Sequence, residues 1–285
     1  MIPTAFEYER AASLDEAIAR LQAAGAGGKL IAGGHSLVPL MKLRLSEPKV
    51  LIDIGRIPGL TGIREKGDRI EIGAGTVHHD VAASSLLRER CPVVAETAAE
   101  IGDPQVRHRG TLGGNLAHAD PAADYPAAML AIDAEIHLKS PRGWRVVKAS
   151  DFFQGLFTVD LAPDEIIMAV QFAPVRAAAY AKLHQRASHF AIVGVAAALE
   201  VTSGVVRGAR VGLTGAGPHA VRLRPVEDAL TGRPLTAATV AAAAAIAGAD
   251  LDEVNADIHA GAEYRRAMIR VFTRRALERA RARAT

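Results

Sequence analysis

The sequence predicts an α+β chain built in three successive parts, and three observations predict it. Between residues 28 and 54, two short apolar runs flank a glycine turn and a helical stretch. From about residue 58 the pattern changes to short segments such as Arg69-Ile70-Glu71-Ile72-Gly73-Ala74-Gly75-Thr76, whose alternation suits an antiparallel strand with one wet face. From about Tyr180 it changes again, to two strands joined by a tight turn and then to helices.

The elements follow in order. Leu14, Ala17, Ile18 and Leu21 recur at helical spacing, with Ser13 as N-cap and Glu16 as its capping-box partner, and the helix ends at Gly25. Residues 29–31 read as a strand, the turn Ala32-Gly33-Gly34-His35-Ser36 follows at once, and residues 37–45 read as a helix with Pro39 in its first turn. Residues 50–54 give the next strand. Residues 82–90 and 94–101 read as helices, and a stretch rich in glycine, proline and aspartate runs from 102 to 126. A hairpin joins 134–138 to 144–147 about Ser140-Pro141-Arg142-Gly143, and 165–172 is a further strand. Strands 191–201 and 205–214 meet at Thr202-Ser203-Gly204, and helices over 237–249 and 262–283 complete the chain.

Composition narrows the function. Of 285 residues, 49% are hydrophobic and 4% aromatic, so the core is filled mainly by Ala, Val, Leu and Ile. Cys91 is the only cysteine, which excludes an intrachain disulfide, a multi-cysteine zinc site and an iron–sulfur cluster held by this chain alone. The balance of 34 basic against 31 acidic residues is mild, so nucleic acid is not the expected partner. No run approaches the roughly 20 uncharged residues that a membrane span needs, and residues 1–21 lack the apolar centre of a signal peptide. A cytoplasmic protein with no integral membrane segment is expected.

The argument turns on two glycine turns, Ala32-Gly33-Gly34-His35-Ser36 and Thr111-Leu112-Gly113-Gly114-Asn115. Each puts adjacent glycines where backbone without Cβ can approach a ligand, and where successive N–H groups can converge on a pyrophosphate. Ser36, Thr111 and Asn115 add side-chain donors. One such turn alone is weak evidence. The familiar nucleotide fingerprints are missing: neither G-x-x-x-x-G-K-[ST] nor G-x-G-x-x-G occurs at these turns, and Gly212-Leu213-Thr214-Gly215-Ala216-Gly217 reads as a strand end.

The stretch LIAGGHSLVPLMKLRL (residues 30–45) strongly resembles the first flavin-binding motif of the medium subunits of molybdenum hydroxylases, the family of carbon monoxide dehydrogenase medium subunits and xanthine dehydrogenase FAD-binding subunits. IGDPQVRHRGTLGGNLAHADPAADYP (residues 101–126) resembles the second motif. The likeness continues through residues 51–54, 72–76, 263–266 and 274–277, and so covers essentially the whole chain. It implies a vanillyl-alcohol-oxidase/PCMH-type FAD-binding fold of two α/β subdomains, 1–57 and 58–176, that clamp FAD. It also implies a C-terminal flavoprotein domain, 177–285, with a small antiparallel sheet and a helical bundle.

Carried over by position, the resemblance implies that Ala32, Gly33, Gly34, His35, Ser36 and Leu37, with Thr111, Leu112, Gly113, Gly114 and Asn115, wrap the FAD pyrophosphate and ribityl chain. Asp124 would hydrogen-bond the cofactor, Ile167 would pack against the flavin, and Lys182 is the nearest match to a lysine placed just before the third domain. No catalytic and no metal-binding residue is assigned. The implied partners are a small subunit with [2Fe–2S] clusters and a large subunit with the molybdenum cofactor, assembled as a dimer of heterotrimers. Electrons would pass from the clusters through FAD to a terminal acceptor, and the single cysteine agrees with that division of labour.

Competing readings are weighed against these. His35 also resembles the attachment site of berberine-bridge-type oxidases, which hold FAD covalently; noncovalent FAD is the preferred reading. His78, His79 and Asp80 with His118 and Asp120 could be read as metal ligands, but His118 and Asp120 lie inside the flavin-like motif. In the last helix, Arg265, Arg266, Arg270, Arg274, Arg275 and Arg279 read as lying opposite Tyr264, Met268, Val271 and Phe272, a solvated or partner-facing basic surface. The alternative function is a self-sufficient FAD-dependent oxidase or reductase with its own substrate pocket.

Overall fold

A computed structural model describes residues 2–284. Three sheets follow one another along the chain. In the first, β1 (Glu7–Arg10), β2 (Gly28–Ile31) and β3 (Val50–Asp53) are parallel with β3 in the middle, and α1 (Leu14–Ala24) and α2 (Leu37–Lys42) make the crossovers. Ser13 Oγ accepts from Glu16 N at 3.2 Å, and Glu16 reaches back to Ala12 N at 2.6 Å, so the cap forms with its return bond one residue upstream. Helix α2 is shorter than the apolar run suggests, because Arg44 turns left-handed at φ +59. Strand β1, reading Glu-Tyr-Glu-Arg, has no apolar alternation and escapes the sequence analysis.

The second part is centred on an antiparallel sheet of β4 (Ile63–Lys66), β5 (Arg69–Gly73), β6 (Glu135–Ser140), β7 (Gly143–Lys148) and a later strand. Between β5 and β6 run α3 (His78–Ala83), α4 (Ser85–Arg90), α5 (Pro92–Ala99), α6 (Pro104–Arg107), α7 (Leu112–His118) and α8 (Tyr125–Ala131). The expected helix over 82–90 is thus two helices, split where the Ser84 hydroxyl caps α4 by accepting from Leu87 N. The stretch 102–126 is not irregular throughout, since Asp103 and Thr111 cap two short helices within it. After β7 come α9 (Ala149–Phe152), the small hairpin of β8 (Phe153–Gly155) and β9 (Thr158–Val159), and β10 (Ile166–Phe172), which lies between β5 and β6. Ile166 and Met168 of β10 pack with Ile18, Ile52 and Leu60, which docks the first part onto the second.

The third sheet, antiparallel, is ordered β11 (Ala178–His184), β12 (Ala191–Thr202), β13 (Val205–Thr214) and β14 (Val221–Arg222). Its alanines and valines pack on α10 (Arg224–Leu230), α11 (Ala237–Ala245) and α12 (Ala262–Ala282) on one face, while Ala178, Tyr180, Ala196 and Ala198 join the core of the second part on the other. The face of α12 differs from the sequence reading. Arg265, Ile269, Phe272, Ala276 and Leu277 are buried, whereas Tyr264 and Val271 are exposed. Arg265 is inside because its guanidinium has work there: it donates to the carbonyls of Ile192 at 2.6 Å and Gly215 at 2.9 Å and to Asp257 at 2.6 Å.

Candidate cofactor site

The two glycine turns, distant in sequence, meet in space. The first links β2 to α2, and a Cβ added to Gly33 would stand 2.2 Å from the Arg109 carbonyl oxygen and 2.8 Å from Gly110 Cα. The first turn therefore lies directly on the backbone that enters the second. Gly34 follows in the left-handed region, φ +73, and its carbonyl accepts from Val38 N at 2.9 Å to start α2. In the second turn Leu112 N donates to Thr76 O and Gly113 N to Ala74 O, and the Thr111 hydroxyl accepts from Gly114 N at 3.2 Å. A Cβ on Gly113 would meet Ala74 Cβ at 2.6 Å. The first glycine of each pair is thus consumed by packing between chain segments, a role the sequence reading did not separate from ligand approach. Gly114 stays exposed, as do His35 and Ser36, while Gly34 and Leu37 are half-buried.

Unpaired polar atoms surround the second turn. Asn115 Oδ1, His78 Nδ1 and Tyr125 OH are buried without a hydrogen-bond partner among the described residues. The His78 ring lies 5.3 Å from that of Tyr125, and a Cβ on Gly110 would stand 2.6 Å from His78 Nε2. Burial, with His35 and Arg107 nearby, holds the His78 imidazole down at about 4, so it is neutral at physiological pH. His79 stacks on His108, with ring centroids 4.1 Å apart.

Asp124 and Lys182 come together. Lys182 Nζ donates to Asp124 Oδ2 at 2.9 Å and to Glu100 O at 2.8 Å, and the Tyr180 hydroxyl donates to Asp124 Oδ1 at 2.5 Å. Burial pushes the Asp124 carboxyl up to about 6, with the Lys182 ammonium opposing it. Asp124 opens α8 yet makes no cap bond, because its side chain is committed to β11. Lys182 stands within the third sheet, opposite Gly194, rather than ahead of it. Sequence analysis missed Tyr180, although strand alternation puts it on the same face as Lys182. It also missed Thr214, whose hydroxyl donates to Ala123 O at 2.7 Å and holds the segment before Asp124. Ile167 lies at a bulge of β10, 6% exposed, in the same apolar cluster as Leu112 and Leu116. It supports the second turn from the core.

Residues 4–174 match the FAD binding domain in molybdopterin dehydrogenase, and residues 178–280 match the CO dehydrogenase flavoprotein C-terminal domain. The chain belongs to the molybdopterin dehydrogenase FAD-binding family. It is 41% identical to the carbon monoxide dehydrogenase medium chain of Hydrogenophaga pseudoflava, over 99% of each chain. It is 38% identical to that of Afipia carboxidovorans, over 100% of this chain and 99% of the other. The solved carbon monoxide dehydrogenase from H. pseudoflava, in a form lacking the Mo-pyranopterin moiety of its molybdenum cofactor, superposes with a TM-score of 0.95 at 42% identity, covering 100% of both chains.

This chain is therefore an FAD-binding oxidoreductase subunit of the molybdenum hydroxylase type. The residues present fit the cofactor that the family implies. Gly114, exposed beside His35 and Ser36 at the abutting segments, is where backbone can approach a dinucleotide closely, and the unpaired Asn115, His78 and Tyr125 atoms are polar groups of the kind that a bound ligand satisfies.

Proposed function

We propose that the chain holds FAD noncovalently between its first two parts, with the partition falling at residues 57/58 and 176/177, and relays electrons within a carbon monoxide dehydrogenase-like complex. In this reading a large subunit oxidises substrate at the molybdenum cofactor, and a small subunit delivers electrons from [2Fe–2S] clusters. The assembly is a cytoplasmic dimer of heterotrimers, and the large subunit selects the substrate. FAD supplies the exchange between one-electron and two-electron carriers.

The observation that carries the reading is the contact of the two turns at Gly33 and Arg109. Ala32, Gly33, Gly34, His35, Ser36 and Leu37 on one side, and Thr111, Leu112, Gly113, Gly114 and Asn115 on the other, hold the pyrophosphate and ribityl chain. Asp124 and Lys182 form a buried pair fixed by Tyr180 and Glu100, and they hydrogen-bond the cofactor through the acceptor and donor capacity that these contacts leave. Ile167 backs the flavin side of the site. None of these groups needs to break a bond in substrate; they bind, orient and exclude water.

The test is an absorption spectrum and released-cofactor analysis of the purified chain after incubation with FAD, alone and after co-expression with the partner subunits. Bound FAD that dissociates on denaturation, an unchanged intact protein mass, and co-purification with iron and molybdenum are expected. A colourless chain both alone and in the complex would overturn the reading, and a mass increased by one FAD would make the link covalent.

A further inference from the structure

β11 is an end strand of the third sheet, and among the described residues its outer edge is met by side chains instead of a further strand. Tyr180 N donates to Glu96 Oε2 at 3.0 Å, and Arg279 Nη1 donates to Tyr180 O at 2.8 Å. Arg283 Nη1 donates to Ala178 O at 2.5 Å, while its Nη2 pairs with Glu96 Oε1. Arg279, which the sequence reads as part of a solvated or partner-facing basic surface, thus has a main-chain acceptor on the strand that carries Lys182.

Covering an edge in this way guards it against pairing with another chain, but the bonds gather on one residue. Both main-chain groups of Tyr180 are taken, one from α5 and one from α12. This is the residue whose buried hydroxyl donates to Asp124 Oδ1 at 2.5 Å. Its partner strand makes room for that hydroxyl, because a Cβ added to Gly194 on β12 would run into it.

The spacing of the contacts extends the clamp to Lys182. Glu96 lies in α5 and Glu100 ends it, and the Glu100 carbonyl accepts from Lys182 Nζ at 2.8 Å. Four residues of helix rise about 6 Å and two residues of strand about 6.6 Å, so α5 meets Tyr180 and Lys182 in step. One helix therefore indexes both residues that hold Asp124. A shift of β11 along α5 would move the two donors together, and hydrogen bonds weaken steeply once misaligned.

We propose that Glu96 and Arg279 are positioning residues for the cofactor site: by gripping the Tyr180 main chain from both sides they fix its hydroxyl, and the Lys182 ammonium two residues on, against Asp124, and so set how tightly FAD is held. The inference rests on the FAD reading above and deepens it. Neither residue needs to touch the cofactor; each acts through Tyr180.

The test is the dissociation constant of FAD from the full chain, read by flavin fluorescence, with urea unfolding of the same samples. Glu96→Leu and Arg279→Met are each expected to weaken FAD binding about tenfold, the scale of one hydrogen bond lost. Glu96→Gln breaks the ion pair with Arg283 but keeps an acceptor for Tyr180 N, and Arg279→Lys keeps a donor for Tyr180 O. Both conservative variants are expected to bind FAD within about twofold of the parent, even where their urea midpoints fall. Unchanged affinity in the leucine and methionine variants would overturn the proposal, and so would an equal loss in the conservative pair, which would assign the effect to general stability. Should Glu96→Leu fail to fold, the two Arg279 variants carry the comparison. Carbon-13 NMR of labelled aspartate, with Asp124 assigned through Asp124→Asn, reads the clamp without flavin: the Asp124 carboxyl signal should move in the leucine and methionine variants and stay in the conservative pair. A chain that takes up no FAD overturns the FAD reading, and an Asp124 signal unmoved in every variant overturns the clamp.

Discussion

Lys182 reaches Asp124 from the first strand of the third sheet, with Nζ 2.9 Å from Oδ2 and both side chains buried. The pair ties the third part to the segment that follows the second glycine turn, and it titrates in a way that can be measured. Burial raises the carboxyl to about 6, whereas an unfolded aspartate titrates near about 4. The folded chain thus holds this proton more tightly, so the carboxyl's contribution to stability is fully present below about pH 4 and is lost as the pH rises through 6. At about 1.4 kcal/mol per pH unit, that loss is on the order of 3 kcal/mol. Asp124→Asn removes the titration. The unfolding free energy of the parent minus that of Asp124→Asn, measured in urea, should fall by on the order of 3 kcal/mol between pH 4 and 7. A flat difference would show that Lys182 and Tyr180 fully offset burial.

The glycine pairs separate stability from cofactor binding. Gly33→Ala drives a methyl into the Arg109 carbonyl, and Gly113→Ala drives one into Ala74. Neither neighbour can swing away, and each variant should lose about 1–3 kcal/mol in urea unfolding. At Gly114 an added Cβ meets only the Thr111 hydroxyl, at 2.8 Å, which can rotate at the cost of its cap, about 1 kcal/mol. Gly114→Leu should therefore stay folded and lose its flavin, read from the visible absorbance against protein. Normal flavin content in Gly114→Leu would remove the second turn from the site.

These distinctions show where the sequence is legible. The Ser13 cap, the hairpin at Ser140–Gly143 and the first glycine turn depend on residues close in sequence and are found, whereas Gly113 and Gly114 stand in the first turn of α7 rather than in an open turn. Strands β1 and β4 escape the sequence reading, since Glu-Tyr-Glu-Arg and Ile-Arg-Glu-Lys carry no apolar alternation. Asp124 and Lys182 are each picked out only by the family resemblance, and nothing local says that they touch. Long-range pairing of buried charge is a tertiary fact. The same holds for Arg265, which composition assigns to the surface and three carbonyls and a carboxylate pull inside.

His78 provides a second titration, of opposite sign. Its imidazole is held down at about 4 by burial, then by His35 and Arg107. An unfolded histidine titrates near about 6.5. The unfolded chain takes up this proton first, so the stability that neutral His78 contributes is present above about pH 6.5 and is lost as the pH falls toward 4. Carbon-13 NMR of labelled histidine should show His78 neutral down to about pH 4. Titration near 6.5 would mean that water reaches the ring.

Arg265 is the strongest candidate for a purely structural arginine in the C-terminal helix. Arg265→Met keeps the length of the side chain but strands the Ile192 and Gly215 carbonyls, while Asp257 keeps its bonds from His259 N and Ala260 N. The Asp257 carboxylate is 45% exposed, so the loss rests on the buried carbonyls left without a donor, at about 1–3 kcal/mol each. Arg265→Lys should recover less than half of this, since a compact ammonium cannot span the four acceptors that the planar fork holds. Urea unfolding of both variants checks the order. A methionine variant within about 1 kcal/mol of the parent would show water replacing the guanidinium, and the buried arginine would then be incidental to the third sheet. The expected order instead makes Arg265 the clamp that closes α12 over the ends of β12 and β13.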